Sequence, residues 1–231
     1  VTFHDGTPVT SAAVKASIER AKTLPESTVK DYFSFVDSIE TPDDRTVVVE
    51  LNAPRADALF AFATTPASII NPAMMNQDLS QADAGSGPYR LVSVRPNDRV
   101  VYEKNAEYWD TELSAFDTLE ILGIPDDNAR FNAQRSGQVE ASMVRLTQLP
   151  DARALVESGG YELTEIDHAT WWTMDLNTSR GPLGNPDVRR AMNYAIDRDA
   201  INEGLLNGQC TPTGQPIQAG IDGHVDDRSV E

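Results

Sequence analysis

Apolar and polar positions follow two periodicities along this chain, and the switches between them mark its elements. Val14, Ile18 and Ala21 recur at helical spacing behind Thr10 and Ser11, either of which can cap a helix start, and Pro25 closes the segment. Strict alternation follows. Val47, Val49 and Leu51 share one face of a strand over 46–51, with Thr46, Val48 and Glu50 on the other. A strand over 35–39 precedes it, joined by the turn-forming Pro42-Asp43-Asp44-Arg45. Val1-Thr2-Phe3-His4 also reads as strand, running into the tight-turn dipeptide Asp5-Gly6. A short helix over 55–63 places Leu59 and Phe62 together, and 64–72 is irregular.

Gly85-Ser86-Gly87-Pro88 is the sharpest punctuation in the sequence. Strands over 89–94 and 99–104 flank Pro96-Asn97-Asp98 and predict a hairpin. A strand over 118–124, a helix over 127–136 stopped by Gly137, and a strand over 139–144 read as a β-α-β unit, which favours a parallel sheet with a right-handed crossover. A helix over 148–158 ends at Gly159-Gly160, and strands are predicted over 161–166 and 170–176. Asn185-Pro186-Asp187 opens a helix carrying Val188, Ala191, Met192, Ala195 and Ile196 at helical spacing. Asp197 restarts it, with Ile201 and Leu205 on the expected buried side, and the chain from Gly208 is loop.

Composition narrows the function classes. Hydrophobic residues make up 40% of the 231, enough for a sizeable core. No apolar run approaches the length that crosses a bilayer as a helix. The 36 acidic and 19 basic residues give a net charge of −17, which repels a phosphate backbone and argues against nucleic acid as a partner. Cys210 is the single cysteine, so no internal disulfide or thiolate metal cluster forms. The chain opens mid-strand at Val1 and stops at Glu231 without a signal segment, so both ends read as cut; apolar surface is expected where further chain packed.

Little in the sequence carries catalytic chemistry. His4, His168 and His224 are far apart and none has a partner at metal-ligand spacing, so the expectation is no metal site, with each histidine on the surface or hydrogen-bonded. Gly85-Ser86-Gly87-Pro88 fails as a phosphate cradle: no Lys-Ser or Lys-Thr follows, Pro88 removes a donor, and a strand comes next where a helix is needed. There is no Gly-x-Ser-x-Gly elbow. Acidic pairs such as Asp43-Asp44 and Asp126-Asp127 sit at turns and helix starts, where capping is their ordinary role, although a carboxylate pair for glycoside hydrolysis stays open. No cofactor is called for. The aromatic residues are more suggestive of binding. Trp171 and Trp172 are adjacent in an expected strand and so point to opposite faces, which allows one to be core while the other faces a cleft; that both are structural is the alternative. Tyr32, Phe33 and Phe35 form a second cluster, for which core packing is the ordinary reading.

Taken in order, several of these segments resemble one family. Val1-Thr2-Phe3-His4-Asp5-Gly6-Thr7-Pro8-Val9-Thr10 resembles the "kFhDGtpltaeDV" signature of the family 5 extracellular solute-binding proteins of ABC importers, the dipeptide, oligopeptide and nickel-binding group. Gly85-Ser86-Gly87-Pro88-Tyr89 is similar to that family's "GTGPY", and Asn105-Ala106-Glu107-Tyr108-Trp109 to its "NpdYW". Arg135-Ser136-Gly137-Gln138-Val139-Glu140-Ala141 resembles "lqsGevDa", and the run from Asp187 to Arg198 resembles "DvrvRqAlnyAiDR". Ser86 stands for the usual threonine, and Ala13 for an acidic residue.

The resemblance implies an α/β, periplasmic-binding-protein type II-like two-lobed fold, incomplete in a chain that is a middle fragment. It implies part of a small lobe with the hairpin over 1–112, a β-α-β part of the main lobe over 113–184 and the start of the C-terminal lobe over 185–231. It implies capture of a peptide or similar small solute for a membrane permease, in the periplasm or anchored at the cell surface as a lipoprotein. Nickel, a sugar or an opine-like solute are the alternatives within the family, and a secreted carboxylate-dependent hydrolase the alternative outside it. The expected ligand contacts are Trp171 or Trp172 with Gly85, Ser86 and Tyr89, and Tyr32 and Phe33 as further candidates.

Overall fold

The computed structural model describes residues 1–25, 27–110, 112–113, 115–165, 173–215, 217–221 and 224–225. The chain divides into two compact units, Val1–Ile124 and Pro125–Glu231.

The first unit opens with a turn, not a strand. Thr2 makes one isolated antiparallel bridge to Pro8, and Gly6 takes φ +85°, a conformation open to glycine. Helix α1 (Ser11–Thr23) starts at Thr10, whose hydroxyl accepts from the Ala13 amide at 3.4 Å, and ends before Pro25. Its buried face carries Ala13, Ser17 and Ile18, while Lys22 reaches the Val36 carbonyl at 2.7 Å. Strands β1 (Val36–Asp43) and β2 (Thr46–Leu51) form the expected antiparallel hairpin, with Arg45 N–H held by the Asp43 carboxylate at 2.8 Å. As the alternation requires, Val47, Val49 and Leu51 pack toward the core and Val48 stays exposed.

That core holds Ile18, Phe33, Phe35, Val36, Ile39, Ala61 and Ala67. Helix α2 (Ala58–Phe62) contributes Phe62, which stacks on Phe33 at 6.1 Å and meets Phe35 edge-on at 5.8 Å. Leu59 does not join Phe62; it is 85% exposed. Strands β3 (Tyr89–Arg95), β4 (Arg99–Lys104) and β5 (Thr118–Leu122) form a second antiparallel sheet in that order.

The parallel β-α-β unit expected over 118–144 is not formed. β5 pairs antiparallel with β4 and belongs to the first unit. Among the described residues no strand occurs over 139–144. Helix α3 (Asp127–Arg135) reaches this segment instead: Gln134 donates to the Glu140 carbonyl at 2.9 Å and Arg130 to the Met143 carbonyl at 3.1 Å, so side chains serve acceptors that a strand partner would serve in a sheet. α3 itself is as expected, capped by Asp126 on the Ala129 amide at 2.7 Å and closed by Gly137 at φ +72°.

Helix α4 (Leu149–Glu157) follows, closed by Gly159 and Gly160, both with positive φ. Residues 161–165 and 173–176 are not strand; the remainder of the two strands expected there lies outside the described residues. Asn185 caps α5 (Pro186–Ala195) and Asp197 caps α6 (Arg198–Leu206), both as expected. The buried side of α6 differs. Ile201 is 42% and Leu205 64% exposed, and the buried residue is Asn202, whose side chain accepts from the Cys210 amide at 2.9 Å.

Candidate functional site

The Gly85–Pro88 loop is held from both sides by residues remote in sequence. His4 N–H donates to the Gly85 carbonyl at 2.9 Å, and its ring Nε2 lies 3.0 Å from the Gly87 carbonyl. A carbonyl oxygen only accepts, so Nε2 carries a hydrogen. The other ring nitrogen, Nδ1, lies 2.5 Å from Asp83 Oδ1, and the His4 side chain is 5% exposed. From the opposite strand end, buried Asn105 donates Nδ2–H to the same Gly87 carbonyl at 3.1 Å and its backbone N–H to the Pro88 carbonyl at 2.8 Å. Asn105 Oδ1 accepts from Arg90 Nε at 3.1 Å and from the Glu107 amide at 3.2 Å.

The preceding turn is tied down in the same way. Asp5 Oδ1 accepts from Thr7 N–H and Oγ1–H at 2.9 and 2.6 Å, and Asp5 Oδ2 accepts from buried Asn71 Nδ2 at 2.7 Å. These bonds, with the Thr7 hydroxyl foremost, hold the Asp5 carboxyl below its ordinary range. Asn71 N–H in turn donates to the Ala84 carbonyl at 2.9 Å. The Asp5-Gly6 turn, the Asn71 turn and the Gly85 loop therefore form one hydrogen-bonded assembly.

Beside this assembly lies a cavity of roughly 370 Å³, lined by His4, Leu79, Asp83, Gly85, Gly87 and Tyr89 together with apolar side chains of β3 and β4. An added Cβ on Gly87 would meet nothing within 4 Å, so its backbone is open to close approach. In the second unit a groove of roughly 500 Å³ runs between α3 and α4, with Phe131 and Leu155 among polar residues Asn128, Asn132, Arg135 and Asp151.

The sequence-derived candidates separate. Gly85 and Tyr89 line the first cavity and Ser86 sits between them on the held loop. Phe33 belongs to the hairpin core and Tyr32 lies outside it. Tyr32 is 37% exposed, its hydroxyl 2.8 Å from Thr64 Oγ1 and its ring edge-on to Phe33 at 5.4 Å. Phe33 is 0% exposed and offers no surface to a solute, so it is a core residue and not a ligand contact. Trp171 and Trp172 lie outside the described residues. The sequence does not mark His4, Asp83 or Asn105 as site residues. Only the motif segments containing His4 and Asn105 carried a signal, because pairing across such sequence separations leaves no local pattern.

The family model for bacterial extracellular solute-binding proteins, family 5, middle part, matches residues 1–231. The chain belongs to this family. Among curated relatives of this family 5 chain, the glutathione-binding protein GsiB of Pectobacterium atrosepticum is 31% identical over 227 residues, 96% of the chain and 44% of that protein. The probable D,D-dipeptide-binding periplasmic protein DdpA of Escherichia coli is 30% identical over 231 residues, again covering 96% and 44%. Among solved structures, AgaA from A. tumefaciens R10 in complex with agropinic acid matches with a TM-score of 0.84 at 31% identity, covering 97% of the chain and 46% of AgaA. DppA of Helicobacter pylori in complex with the peptide STSA matches with a TM-score of 0.79 at 21% identity, covering 99% and 49%. The family 5 chain thus has the mixed helix and sheet fold of the two-lobed periplasmic binding proteins, incomplete here, since it spans under half the length of these relatives.

Proposed function

We propose that this chain serves an extracytoplasmic solute-binding protein that captures a peptide or similar small solute for import by an ABC transporter. The family match over every residue carries this reading, and the ligands for which the two curated relatives are named, glutathione and a D,D-dipeptide, favour a peptide. The protein acts in the periplasm or as a lipoprotein at the cell surface, delivers its solute to a membrane permease and performs no chemistry on it. Its task needs a cleft that closes, not a poised nucleophile.

The solute contacts proposed are Trp171 or Trp172, the backbone of Gly85, Ser86 and Tyr89, and Tyr32 through its half-exposed hydroxyl. The loop hydrogen bonds support this for Gly85–Tyr89: a loop already fixed by His4 and Asn105 has little freedom left to lose when a solute binds. A second reading, an opine-like solute, is favoured by the likeness to AgaA at 31% identity.

The test is native mass spectrometry of the protein at its full natural length, followed by thermal-shift assays with glutathione, a dipeptide library, agropinic acid and nickel-histidine. Stabilisation by peptides alone is expected. Stabilisation by agropinic acid or nickel-histidine without any by peptides overturns the peptide assignment, and turnover of a bound solute overturns the binding-protein reading.

A further inference from the structure

Helix α6 ends in a pair of residues with a chemistry of their own. Asn207 closes the helix at φ +54°, in the left-handed region that asparagine tolerates at a helix end. Gly208 follows it at φ +68°, and both residues are exposed. Asn207-Gly208 is the one Asn-Gly pair in the 231 residues. The pair matters because glycine has no Cβ to crowd its amide nitrogen, and that nitrogen can reach the Asn207 side-chain carbonyl carbon. Asn97, the other described non-glycine residue with positive φ, is followed by Asp98, whose Cβ does crowd it.

The fold holds both reacting groups away from each other. Asn207 Nδ2–H donates to the Leu146 carbonyl at 2.8 Å, across 61 positions, and so ties the end of α6 to the turn that leads into α4. Gly208 N–H donates to the Asn202 carbonyl at 3.0 Å. Gln209 Nε2–H donates to the Asn207 carbonyl at 2.9 Å, and Gln209 Oε1 accepts from Arg153 of α4 at 3.2 Å. Buried Asn202 accepts from the Cys210 amide at 2.9 Å through its side chain, which fixes the chain just beyond the pair.

We propose that Asn207-Gly208 is a site of spontaneous, irreversible deamidation, gated by opening of the α6 end. When the hydrogen bonds to Leu146 and Asn202 open, the Gly208 nitrogen attacks Asn207 Cγ and the N–Cγ bond forms. The Cγ–Nδ2 bond breaks and Nδ2 leaves as ammonia; the Gly208 amide hydrogen goes to solvent base, and solvent returns one to the leaving nitrogen. One water then opens the cyclic imide at either carbonyl, giving aspartate or an isoaspartyl linkage. The product cannot restore the original contact, because an ionised carboxylate only accepts and the Leu146 carbonyl also only accepts. Its new charge stands at the negative end of the α6 dipole. It also lies near Glu203, whose Oε1 is 3.5 Å from the place a Cβ on Gly208 would take. Each opening that ends in reaction therefore loosens the junction of α6 with α4 permanently.

The experiment incubates the protein at its full natural length in mildly alkaline buffer and follows every asparagine by peptide mapping, with isoaspartate measured at Asn207. Parent and Asn202→Ala are compared, folded and in urea. Asn202→Ala leaves the Asn-Gly pair intact and releases the Cys210 amide; Arg153→Ala, which releases Gln209, takes its place should Asn202→Ala not fold. In the folded parent, Asn207 is expected to convert several-fold faster than any other asparagine, yet several-fold slower than in urea. The loosened variant is expected to convert several-fold faster than the parent when folded and at the same rate in urea. Asn207→Asp, which carries the product carboxylate, is expected to lower the denaturation midpoint at neutral pH. That gap narrows below about pH 4, where a protonated carboxyl donates again.

Conversion at Asn207 no faster than at other asparagines of the folded parent overturns the site. Equal rates for parent and loosened variant when both are folded overturn the gate. A midpoint gap for Asn207→Asp that does not change with pH overturns the loss of the Leu146 bond as its cause. No arm uses a solute, so the result stands apart from the test of the proposed function.

Discussion

His4 and Asn105 donate to one and the same oxygen, the Gly87 carbonyl, at 3.0 and 3.1 Å. Each removes the other's freedom to reposition the loop, so their effects are coupled. Asn105→Ala leaves the Gly87 carbonyl to His4 alone and takes the acceptor from Arg90 Nε and the Glu107 amide, and is expected to cost about 1–3 kcal/mol. His4→Ala acts in the same direction. The double variant costs more than the sum of the two, because the Gly87 carbonyl loses its last side-chain donor only when both are gone. Urea denaturation of the four proteins in this cycle measures the coupling, and strict additivity contradicts the shared-acceptor geometry.

Phe33→Ala empties the centre of the hairpin core and is expected to destabilise by about 3–5 kcal/mol. Tyr32→Phe removes only the half-exposed hydroxyl bonded to Thr64 and leaves stability nearly unchanged. Thermal unfolding separates the two. A loss of solute affinity in Tyr32→Phe without a loss of stability supports the proposed contact.

Gly137→Ala forces alanine into φ +72° at the end of α3, where the Gln138 amide reaches back to the Ala133 carbonyl at 2.9 Å. About 1 kcal/mol of destabilisation is expected. Gly87→Ala has open space for its methyl and is expected to leave stability unchanged. Denaturation midpoints of the two variants test the contrast, and a fall in solute affinity for Gly87→Ala alone marks the loop as a contact.

Acid sensitivity follows from Asp127. Hydrogen bonds from Arg130, then from Arg145 at 3.3 Å, hold its carboxyl below its ordinary 3.8. A carboxylate whose value is lowered in the folded state binds its proton more readily when unfolded. Its stabilising contribution is therefore complete above about pH 4 and is lost as the pH falls through the lowered value. Asp127→Asn is expected to flatten the stability profile below pH 4, relative to the unsubstituted protein, and to lower stability at neutral pH. Denaturation midpoints recorded across that range read the difference; parallel profiles contradict it.

Trp171→Ala and Trp172→Ala test the tryptophan contact. At least one is expected to weaken solute binding in isothermal titration of the full-length protein while leaving its thermal midpoint close to the parent. Unchanged affinity in both variants overturns it.

Local chemistry was enough to place the helices. Thr10, Asp126, Asn185 and Asp197 each cap the helix that the apolar spacing announces. It also placed both hairpins, because turn residues and alternation act within a few positions. The ordered motifs indicated the family that the match over residues 1–231 shows. The tertiary structure alone decided that β5 joins β4 and not a parallel partner, because strand pairing depends on which edge is free and not on the strand's own residues. It alone brought His4 to Gly87 and Asn105, through bonds spanning 83 and 18 positions that no periodicity encodes. The Gly85–Pro88 segment was legible as a turn; what holds it in place was not, because that depends on contacts that exist only once the chain is folded.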